Sequence, residues 1–378
     1  MKRRDLLVSL LARQVFAGTR GSTDAGTKPL LFPHGQPLVA FDTSPDGRLL
    51  ATGAECTPAH ADDPLEGVAC WDLKTLGVKW VTRLDGGVGL NDQLSRGIAF
   101  SADGRLLGAN FHTNAVALLD ATSGGVLNEL NLSNNDGAPP WCWSADPARP
   151  DTVVVFAEGR LHVAPAKGRA QPLEATAGRP IAFDAAGVSV VNRDALSRGA
   201  ASHLLATKNG ARVVSVAVSS TAIIVGTEPG ELLVVDRRTF AVRHRLAQPC
   251  GALSVSRRGD VVVVILPNGT DAVLVRNGRP EPVPGPLARR DWLTFNDGRA
   301  VAVSPDGSRT VTVNPAGEVF EVSPATLVER VARRTRLGIV EGADTVIWPT
   351  DDRVVALGQR VVGVIEPGRG VVLTSRLG

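Results

Sequence analysis

Short apolar runs, each ended by a turn motif, recur along the whole chain. Three near-copies of one phrase are the clearest repetition, at residues 38–51, 97–108 and 300–311. Each has an apolar run, then Ser-Pro-Asp-Gly or a close variant, then a second apolar or β-branched run. Proline presets φ for a turn position and the glycine tolerates positive φ, so each phrase predicts a β-hairpin.

A third strand and a fourth strand follow each hairpin. The third ends in an acidic residue, as in Val68–Asp72, Val116–Asp120 and Leu232–Asp236, and a turn then leads into another alternating run. Four antiparallel strands followed by a restart are the pattern of one propeller blade.

Eight such units can be counted. Their first-strand centres lie near Phe41, Phe100, Trp143, Phe183, Ala217, Ser254, Val303 and Ile347. The units near Phe183 and Ser254 are the weakest, so seven blades is an alternative. The sequence therefore predicts an all-β fold, a β-propeller of four-stranded antiparallel blades, seven or eight in number. Residues 1–30 lack the pattern and are predicted to be a tail, and 31–378 a single propeller domain.

The order of apolar strand, S-P-D-G-R-L-L-A, strand and W-D-L-x-T resembles the WD-repeat and YVTN-type β-propeller families. The resemblance covers nearly everything from Leu38 to Gly378. Only Trp71-Asp72 is a true Trp-Asp pair, and the Gly-His pair that opens strict WD repeats is absent. We therefore expect the blades to depend on apolar packing between sheets rather than on the hydrogen-bond network of those repeats.

The charge pattern argues against a nucleic-acid partner. The net charge is +3, and Lys and Arg are scattered among carboxylates. The densest basic run that we identify, Arg330 to Arg336, is expected on a solvated loop or strand edge, with a phosphate-binding patch as the alternative. The four cysteines form no C-x-x-C pair, which predicts buried thiols rather than a metal site.

The N-terminus is ambiguous. Arg3-Arg4 followed by Leu6 and Leu7 resembles the core of a twin-arginine export signal, but Arg13 interrupts the apolar stretch. We predict a cytoplasmic protein, with export to the periplasm as the alternative. No apolar run approaches the ~18–20 residues of a membrane helix, so no membrane span is predicted.

Sequence motifs for catalysis are missing. There is no P-loop, G-x-G-x-x-G after a strand, H-E-x-x-H or G-x-S-x-G, and no two of the six histidines lie within four residues of each other. Recurrent aspartates occupy two equivalent turn positions, as Asp46, Asp103 and Asp306 and as Asp72, Asp120 and Asp236. Recurrence favours a structural role, so we predict no catalytic residue, no metal and no cofactor.

Three long loops are the candidate site. They are residues 55–66, 85–96 and 131–140, and all three are expected on one face over the first three blades. The candidate binding residues are Asp62, Asp63, Asn91, Asp92, Arg96, His112, Asn134, Asn135, Asp136 and Trp141. The alternative is that the loops are insertions without a role and that Trp141 and Trp143 are core residues.

Two functions are the main alternatives, and a redox propeller is a third, against which the absence of haem motifs and of tyrosine counts. The first is a non-catalytic scaffold that presents the long loops to a protein partner and is monomeric by itself. The second is a hydrolase of the lactonase type, which the resemblance to YVTN-type propellers implies, with a polar or metal site near the central channel. We favour binding over catalysis.

Overall fold

The computed structural model describes a large part of the chain. The described residues are 28–31, 33–34, 37–54, 67–75, 77–84, 97–111, 115–132, 141–143, 149–157, 160–172, 180–183, 188–191, 195–198, 201–204, 212–219, 221–228, 230–247, 252–255, 261–265, 272–276, 278–283, 301–314, 316–323 and 333–376. Within these ranges every helix or strand element is a β-strand, and the strands form small sheets in chain order.

The first half of the described chain contains sheets 1 to 4, each built from four consecutive strands. Sheet 1 consists of β2 (Leu38–Thr43), β3 (Leu49–Ala54), β4 (Gly67–Asp72) and β5 (Gly77–Arg83); sheet 2 of β6 (Ile98–Phe100), β7 (Leu106–Phe111), β8 (Ala115–Asp120) and β9 (Val126–Asn131); sheet 3 of β10 (Trp141–Trp143), β11 (Thr152–Ala157), β12 (Arg160–Pro165) and β13 (Gln171–Pro172); and sheet 4 of β14 (Pro180–Phe183), β15 (Val188–Val191), β16 (Ala195–Arg198) and β17 (Ala201–Leu204).

The second half contains sheets 5 to 8. Sheet 5 consists of β18 (Arg212–Val218), β19 (Ala222–Glu228), β20 (Glu231–Asp236) and β21 (Val242–Leu246); sheet 6 of β22 (Ala252–Val255), β23 (Val261–Ile265), β24 (Ala272–Arg276) and β25 (Arg279–Val283); sheet 7 of β26 (Val301–Val303), β27 (Thr310–Val313), β28 (Glu318–Ser323) and β29 (Arg333–Ile339); and sheet 8 of β30 (Thr345–Thr350), β31 (Arg353–Gly358), β32 (Val361–Glu366) and β33 (Gly370–Arg376). A fifth strand, β1 (Lys28–Leu31), joins sheet 8.

The predicted all-β propeller with four-stranded antiparallel blades is confirmed. Consecutive strands within each sheet are antiparallel neighbours, as in β2–β3, β3–β4 and β4–β5. Each of the eight predicted first-strand centres lies in the first strand of one sheet, from Phe41 in β2 to Ile347 in β30. The repeat was readable because the side-chain alternation of strands and the turn chemistry recur together.

The first hairpin turn has the same geometry in sheets 1, 2 and 7, which explains the repeated phrase. In sheets 1, 2 and 7 a serine hydroxyl donates to the turn aspartate at 2.6 Å, as in Ser44 to Asp46. The same hydroxyl accepts the backbone N–H five residues on, at 2.9 Å. The following glycine has a φ of 72–76°, a region that glycine adopts without steric cost.

The sheets pack face to face through apolar layers. One buried cluster joins sheet 1 to sheet 2, from Ala51 and Val68 to Phe100 and Leu107. A second joins sheet 2 to sheet 3, through Leu118 and Val153 among others. The first three sheets are therefore one continuously packed unit.

The first and last sheets are joined directly. Leu50 and Trp71 of sheet 1 share a buried cluster with Val355 and Val362 of sheet 8. The backbone N–H of Leu38 donates to the carbonyl of Gln359 at 2.6 Å. These contacts join the first sheet of the chain to the last.

The N-terminal strand adds a parallel partner at the edge of sheet 8. In β1, Lys28 lies opposite Leu373 of β33 and Leu31 lies opposite Arg376. The strand begins three residues before the predicted start of the propeller at residue 31. The repeat pattern gives no signal there, because β1 pairs as an added fifth strand outside the four-strand unit.

Candidate binding face

The antiparallel strand order sends the connecting segments to two opposite faces. Segments that join the first strand to the second, and the third to the fourth, emerge on one face, which we call the turn face. Segments that join the second strand to the third, and the fourth to the first strand of the next sheet, emerge on the other, which we call the loop face.

The three long segments all have their end points on the loop face. Residues 55–66 join β3 to β4, residues 84–97 join β5 to β6, and residues 132–140 join β9 to β10. The short segment 112–114, between β7 and β8, also has its ends there. The end points therefore gather over sheets 1 to 3, although Asn131 itself is the last residue of β9 rather than part of a loop.

Most candidate residues lie outside the described part of the chain, so their role as a binding site stays a prediction. These are Asp62, Asp63, Asn91, Asp92, Arg96, His112, Asn134, Asn135 and Asp136. Trp141 is the first residue of β10, and its Cα lies opposite that of Phe156 in β11.

A buried chain of hydrogen bonds lies in sheet 1, beside the end points of the first long segment. The indole N–H of Trp71 donates to Oγ1 of Thr52 at 2.9 Å. Nε2 of His34 lies 2.9 Å from the same oxygen. All three side chains are buried. One sheet thus has a hydrogen-bond network through the tryptophan of its Trp-Asp pair, in addition to the apolar packing between sheets that the sequence predicts.

Gly67 fixes the point where the first long segment re-enters sheet 1. Its φ is +129°, and an added Cβ would lie 2.8 Å from the amide nitrogen of Leu84 and closer still to the carbonyl oxygen of Thr82. A side chain there would collide with backbone atoms that cannot move independently. Only glycine therefore allows β4 to begin this close to the end of β5.

Asp42 links the first strands of two neighbouring sheets. One carboxylate oxygen accepts the backbone N–H of Phe100 in sheet 2 at 2.8 Å, and the other accepts the N–H of Thr43 at 2.8 Å. The equivalent positions in the other two copies of the phrase hold Ala99 and Ala302. This carboxylate ties sheet 1 to sheet 2 near the turn face, because Asp42 and Phe100 lie at the strand ends that lead into the first hairpin turns.

The recurrent aspartates of the third-strand turns are used by their own turns. The carboxylates of Asp72, Asp120 and Asp236 each accept two backbone N–H groups, from the residues two and three positions on, at 2.7–2.9 Å. The backbone N–H of Ser123 is the main cause that lowers the pKa of Asp120. The predicted structural role of these residues is confirmed.

The first-hairpin aspartates have the same kind of role. The Ser304 hydroxyl, with the backbone N–H and hydroxyl of Ser308, holds the pKa of Asp306 well below its ordinary value. Such a carboxylate is ionised and already bonded at neutral pH. It serves the turn rather than proton transfer.

Neither a metal-ligand cluster nor a membrane-spanning helix occurs among the described residues. No three His, Cys, Asp or Glu side chains in this part of the chain are grouped to hold a metal ion. No helix there has the length and apolarity needed to cross a membrane.

Of the comparisons with known proteins, only that with solved structures returned matches, and it agrees with the fold. Neither the protein-family models nor the curated proteins include a match to this sequence. Among solved structures, Saccharomyces cerevisiae Sqt1 is similar at 13% identity and a TM-score of 0.61, over 89% of this chain and 97% of that one. BamB from Moraxella catarrhalis is similar at 12% identity and a TM-score of 0.57, over 90% of this chain and 99% of that one.

A third similar structure is itself a β-propeller domain. The β-propeller domain of Myceliophteria thermophila Cps50 (Swd1) is similar at 14% identity and a TM-score of 0.50, over 89% of this chain and 96% of that domain. At such low identity the likeness shows the β-propeller fold and nothing narrower.

Sequence reasoning missed His34 and Asp42. His34 stands four residues before β2, after a proline rather than a glycine, so it did not match the expected opening pair. Asp42 was the stronger signal, because it departs from the alanine found in the other two copies of the phrase.

Proposed function

We propose that this protein is a non-catalytic interaction scaffold that binds partner proteins on its loop face. The observation that carries the proposal is the gathering of the end points of three long segments over sheets 1 to 3. Long segments on a rigid scaffold are where binding residues concentrate. The candidate contact residues remain those predicted from the sequence, from Asp62 to Trp141.

The rigidity of the platform supports this proposal. Besides the shared apolar clusters, the indole N–H of Trp80 donates to the carbonyl of Ala121 at 3.1 Å, and the hydroxyl of Thr82 donates to the carbonyl of Gly124 at 2.6 Å. These bonds fix the outer strand of sheet 1 to the third-strand turn of sheet 2. The end points of the long segments are therefore held at fixed relative positions, and a preorganised scaffold limits the entropy lost on binding.

The polar composition of the segments favours a protein partner. Carboxylate and amide side chains with a neighbouring tryptophan suit a polar rim around an aromatic anchor. No cofactor is proposed.

Loop replacement tests the proposal. Residues 55–66 and 85–96 would each be replaced by a four-residue Gly-Ser linker, and partners captured by the intact chain and by each variant would be quantified by mass spectrometry. A partner that depends on the loops would then be purified and titrated by calorimetry. We expect binding to the intact chain and loss of at least tenfold in affinity in either variant, since hot spots of ~2 kcal/mol or more dominate such interfaces.

A charge-matched pair of variants provides the control. Substitution of Asp62, Asp63 and Asp92 by Ala should weaken the same interaction, whereas substitution of the exposed turn-face residues Asp151, Asp351 and Asp352 by Ala should not. Equal effects of the two triple variants, or undiminished binding after loop replacement, would contradict the proposal.

We also propose that all eight sheets are blades of one closed ring and that the folded chain is monomeric. The sheets follow one another along the chain, and contacts between sheets 8 and 1 close the ends. An experimental map would count the blades directly, and light scattering would give the mass.

The cytoplasmic location also remains a proposal, with twin-arginine export as its alternative. Fusion of residues 1–37 to a reporter, with and without Arg3→Lys and Arg4→Lys, would decide between them. A reporter exported only with both arginines present would contradict a cytoplasmic location.

A further inference from the structure

Four arginines gather on the turn face where sheet 5 meets sheet 6. They are Arg237, Arg238, Arg243 and Arg279, which we call the arginine patch. Arg237 and Arg238 lie in the turn after β20, Arg243 lies in β21, and Arg279 begins β25. The run from Arg237 to Arg245 holds four arginines and one histidine in nine residues without a carboxylate, a concentration that the sequence analysis overlooked.

The geometry of Gly278 shows that the patch spans both sheets. An ideal Cβ at Gly278 would lie 3.1 Å from Nη1 of Arg243 and 3.5 Å from Cβ of Ala222. The Arg243 guanidinium of sheet 5 therefore lies against the turn of sheet 6 that ends in Arg279. Arg238, Arg243 and Arg279 are all exposed to solvent.

The charge of the patch is unbalanced, unlike that of other turns. In sheets 1 and 2 the first hairpin turn pairs an arginine with an aspartate, Arg48 with Asp46 and Arg105 with Asp103. The equivalent turn of sheet 5 is Ser219-Ser220-Thr221, which has no carboxylate. Residues 219–222, 236–243 and 278–279 together contribute four arginines and one carboxylate, that of Asp236.

Hydrogen bonds hold two of the guanidinium groups in place. Arg237 donates from Nη1 to the carbonyl of Ser219 at 2.9 Å, and Arg243 donates to a carboxylate oxygen of Asp236. That carboxylate also accepts the N–H groups of Arg238 and Thr239 at 2.7 Å each. Preordered guanidinium groups lose less conformational entropy when they bind a carboxylate in the two-bond geometry that arginine favours.

The turn that presents the patch has a strained residue at its centre. Phe240 has a φ of +60°, and no other non-glycine residue in the described ranges has a positive φ. The same position in sheet 2 is occupied by Gly124, with a φ of +74°. The Phe240 ring is buried in the core of sheet 5, which anchors the turn despite the strain. Strained backbone of this kind tends to occur at functional sites.

We propose that the arginine patch binds an acidic segment of a partner protein. Nucleic-acid binders commonly neutralise about 6–10 phosphates along a track, whereas this patch offers four arginines on two adjacent turns. A short segment with a few glutamate or aspartate side chains matches that number. The patch lies on the opposite face from the long segments, so this inference does not depend on the function proposed for the loop face.

A labelled peptide tests the proposal with the full chain. The probe is a ten-residue peptide of alternating Glu and Gly, and the control peptide has Gln in place of Glu; binding is measured by fluorescence anisotropy at about 50 mM salt, where surface charges are weakly screened. The double variant Arg238→Ser with Arg279→Ser should lose about tenfold in affinity for the Glu peptide, since two ion pairs are removed.

The matched control removes two arginines from the same face. Arg48 and Arg105 have side chains 77% and 88% exposed, and their double substitution by Ser should change the affinity by less than about twofold. Equal losses in the two double variants, or no binding of the Glu peptide to the intact chain, would overturn the proposal. Tighter binding of a single-stranded oligonucleotide, lost in the Arg238/Arg279 variant, would overturn it in favour of a nucleic acid.

Discussion

Sheet 1 and sheet 5 share one strand order and one turn, but they are filled differently. In both, an aspartate at the end of the third strand accepts two backbone N–H groups of the following turn. Inside sheet 1, Thr52 and Trp71 are joined by a buried hydrogen bond. The equivalent positions of sheet 5 are Val225 and Val235, both fully buried in an apolar cluster that also contains Phe240.

The difference follows from where each sheet lies. Sheet 1 packs against sheet 8. The segment between β1 and β2 contains His34, and its side chain joins the hydrogen-bond chain of Thr52 and Trp71. A polar network defines one geometry, because a misplaced partner leaves a buried donor or acceptor unsatisfied. Sheet 5 contacts sheets 4 and 6, and apolar side chains fill its interior. A blade can therefore have either a hydrogen-bonded or an entirely apolar pair at these positions. The hydrogen-bonded pair is in sheet 1, which packs against the last sheet.

The largest expected effect is at Trp71. Trp71→Ala removes a side chain that is 2% exposed and should lower the free energy of unfolding by about 3–5 kcal/mol, whereas Val235→Ala in sheet 5 should cost about 1.5–3 kcal/mol. Urea unfolding of the full chain measures both. Val126→Ala, at a strand position 45% exposed, is the control and should stay within about 0.5 kcal/mol. If Trp71→Ala cost no more than Val235→Ala, the special position of sheet 1 would be refuted.

An exchange of hydroxyl and methyl groups sharpens the comparison. Thr52→Val keeps the shape and should cost about 1–3 kcal/mol, because the Trp71 indole N–H loses its acceptor. Val225→Thr in sheet 5 should cost a similar ~1–3 kcal/mol for the opposite reason, since it buries a hydroxyl among aliphatic side chains. Unfolding of both variants in urea gives the two values.

A double-mutant cycle separates the hydrogen bond from packing. In the Trp71→Phe background no indole N–H remains, so Thr52→Val should cost less than it does in the natural chain. Additivity within about 0.3–0.5 kcal/mol would show that the two side chains do not interact energetically.

Much of the fold was predictable from residues 38–51 and their copies. Strand alternation and turn chemistry are local properties, so the hairpins, the four-strand unit and the eight first-strand positions could be read from the sequence. The pairing of β1 with β33 could not, because it joins residues more than 300 positions apart with no repeat pattern to indicate it. The Thr52–Trp71 bond was hidden for a similar reason, since no short motif contains both residues.

The candidate site was less accessible to sequence reasoning. The position of the long segments followed from strand order, and their end points lie where that order requires. Asp42 and the arginine patch were missed. The first depends on a contact with Phe100 in the next sheet, and the second on two turns brought together by packing of sheets 5 and 6. Contacts between sheets are not periodic in the sequence, so a search for repeats passes over them.

The smallest expected effect concerns the turn that the two sheets share. In sheet 5 the backbone N–H of Thr239, helped by other donors including Arg243, lowers the pKa of Asp236 from 3.8 to about 2. Because the folded-state pKa is below the unfolded value, this carboxylate stabilises the fold fully above about pH 4 and loses that contribution as the pH falls towards about 2. Asp236→Asn keeps an oxygen acceptor but removes the charge, so the variant should be less stable at neutral pH and the difference should shrink across that window.

Urea midpoints of the natural chain and the variant, compared between about pH 7 and pH 2, measure this directly. The Asp120→Asn variant is the matched control: its carboxylate also has a lowered pKa, but its donors are Ser123 and Thr122 rather than an arginine. Arg243→Met should therefore raise the pKa of Asp236, so that the loss of its stabilising contribution begins at a higher pH. The pH range over which Asp120 loses its contribution should not change. A difference between Asp236→Asn and the natural chain that did not change with pH would mean that shape alone, and not the ionised carboxylate, holds the turn of sheet 5.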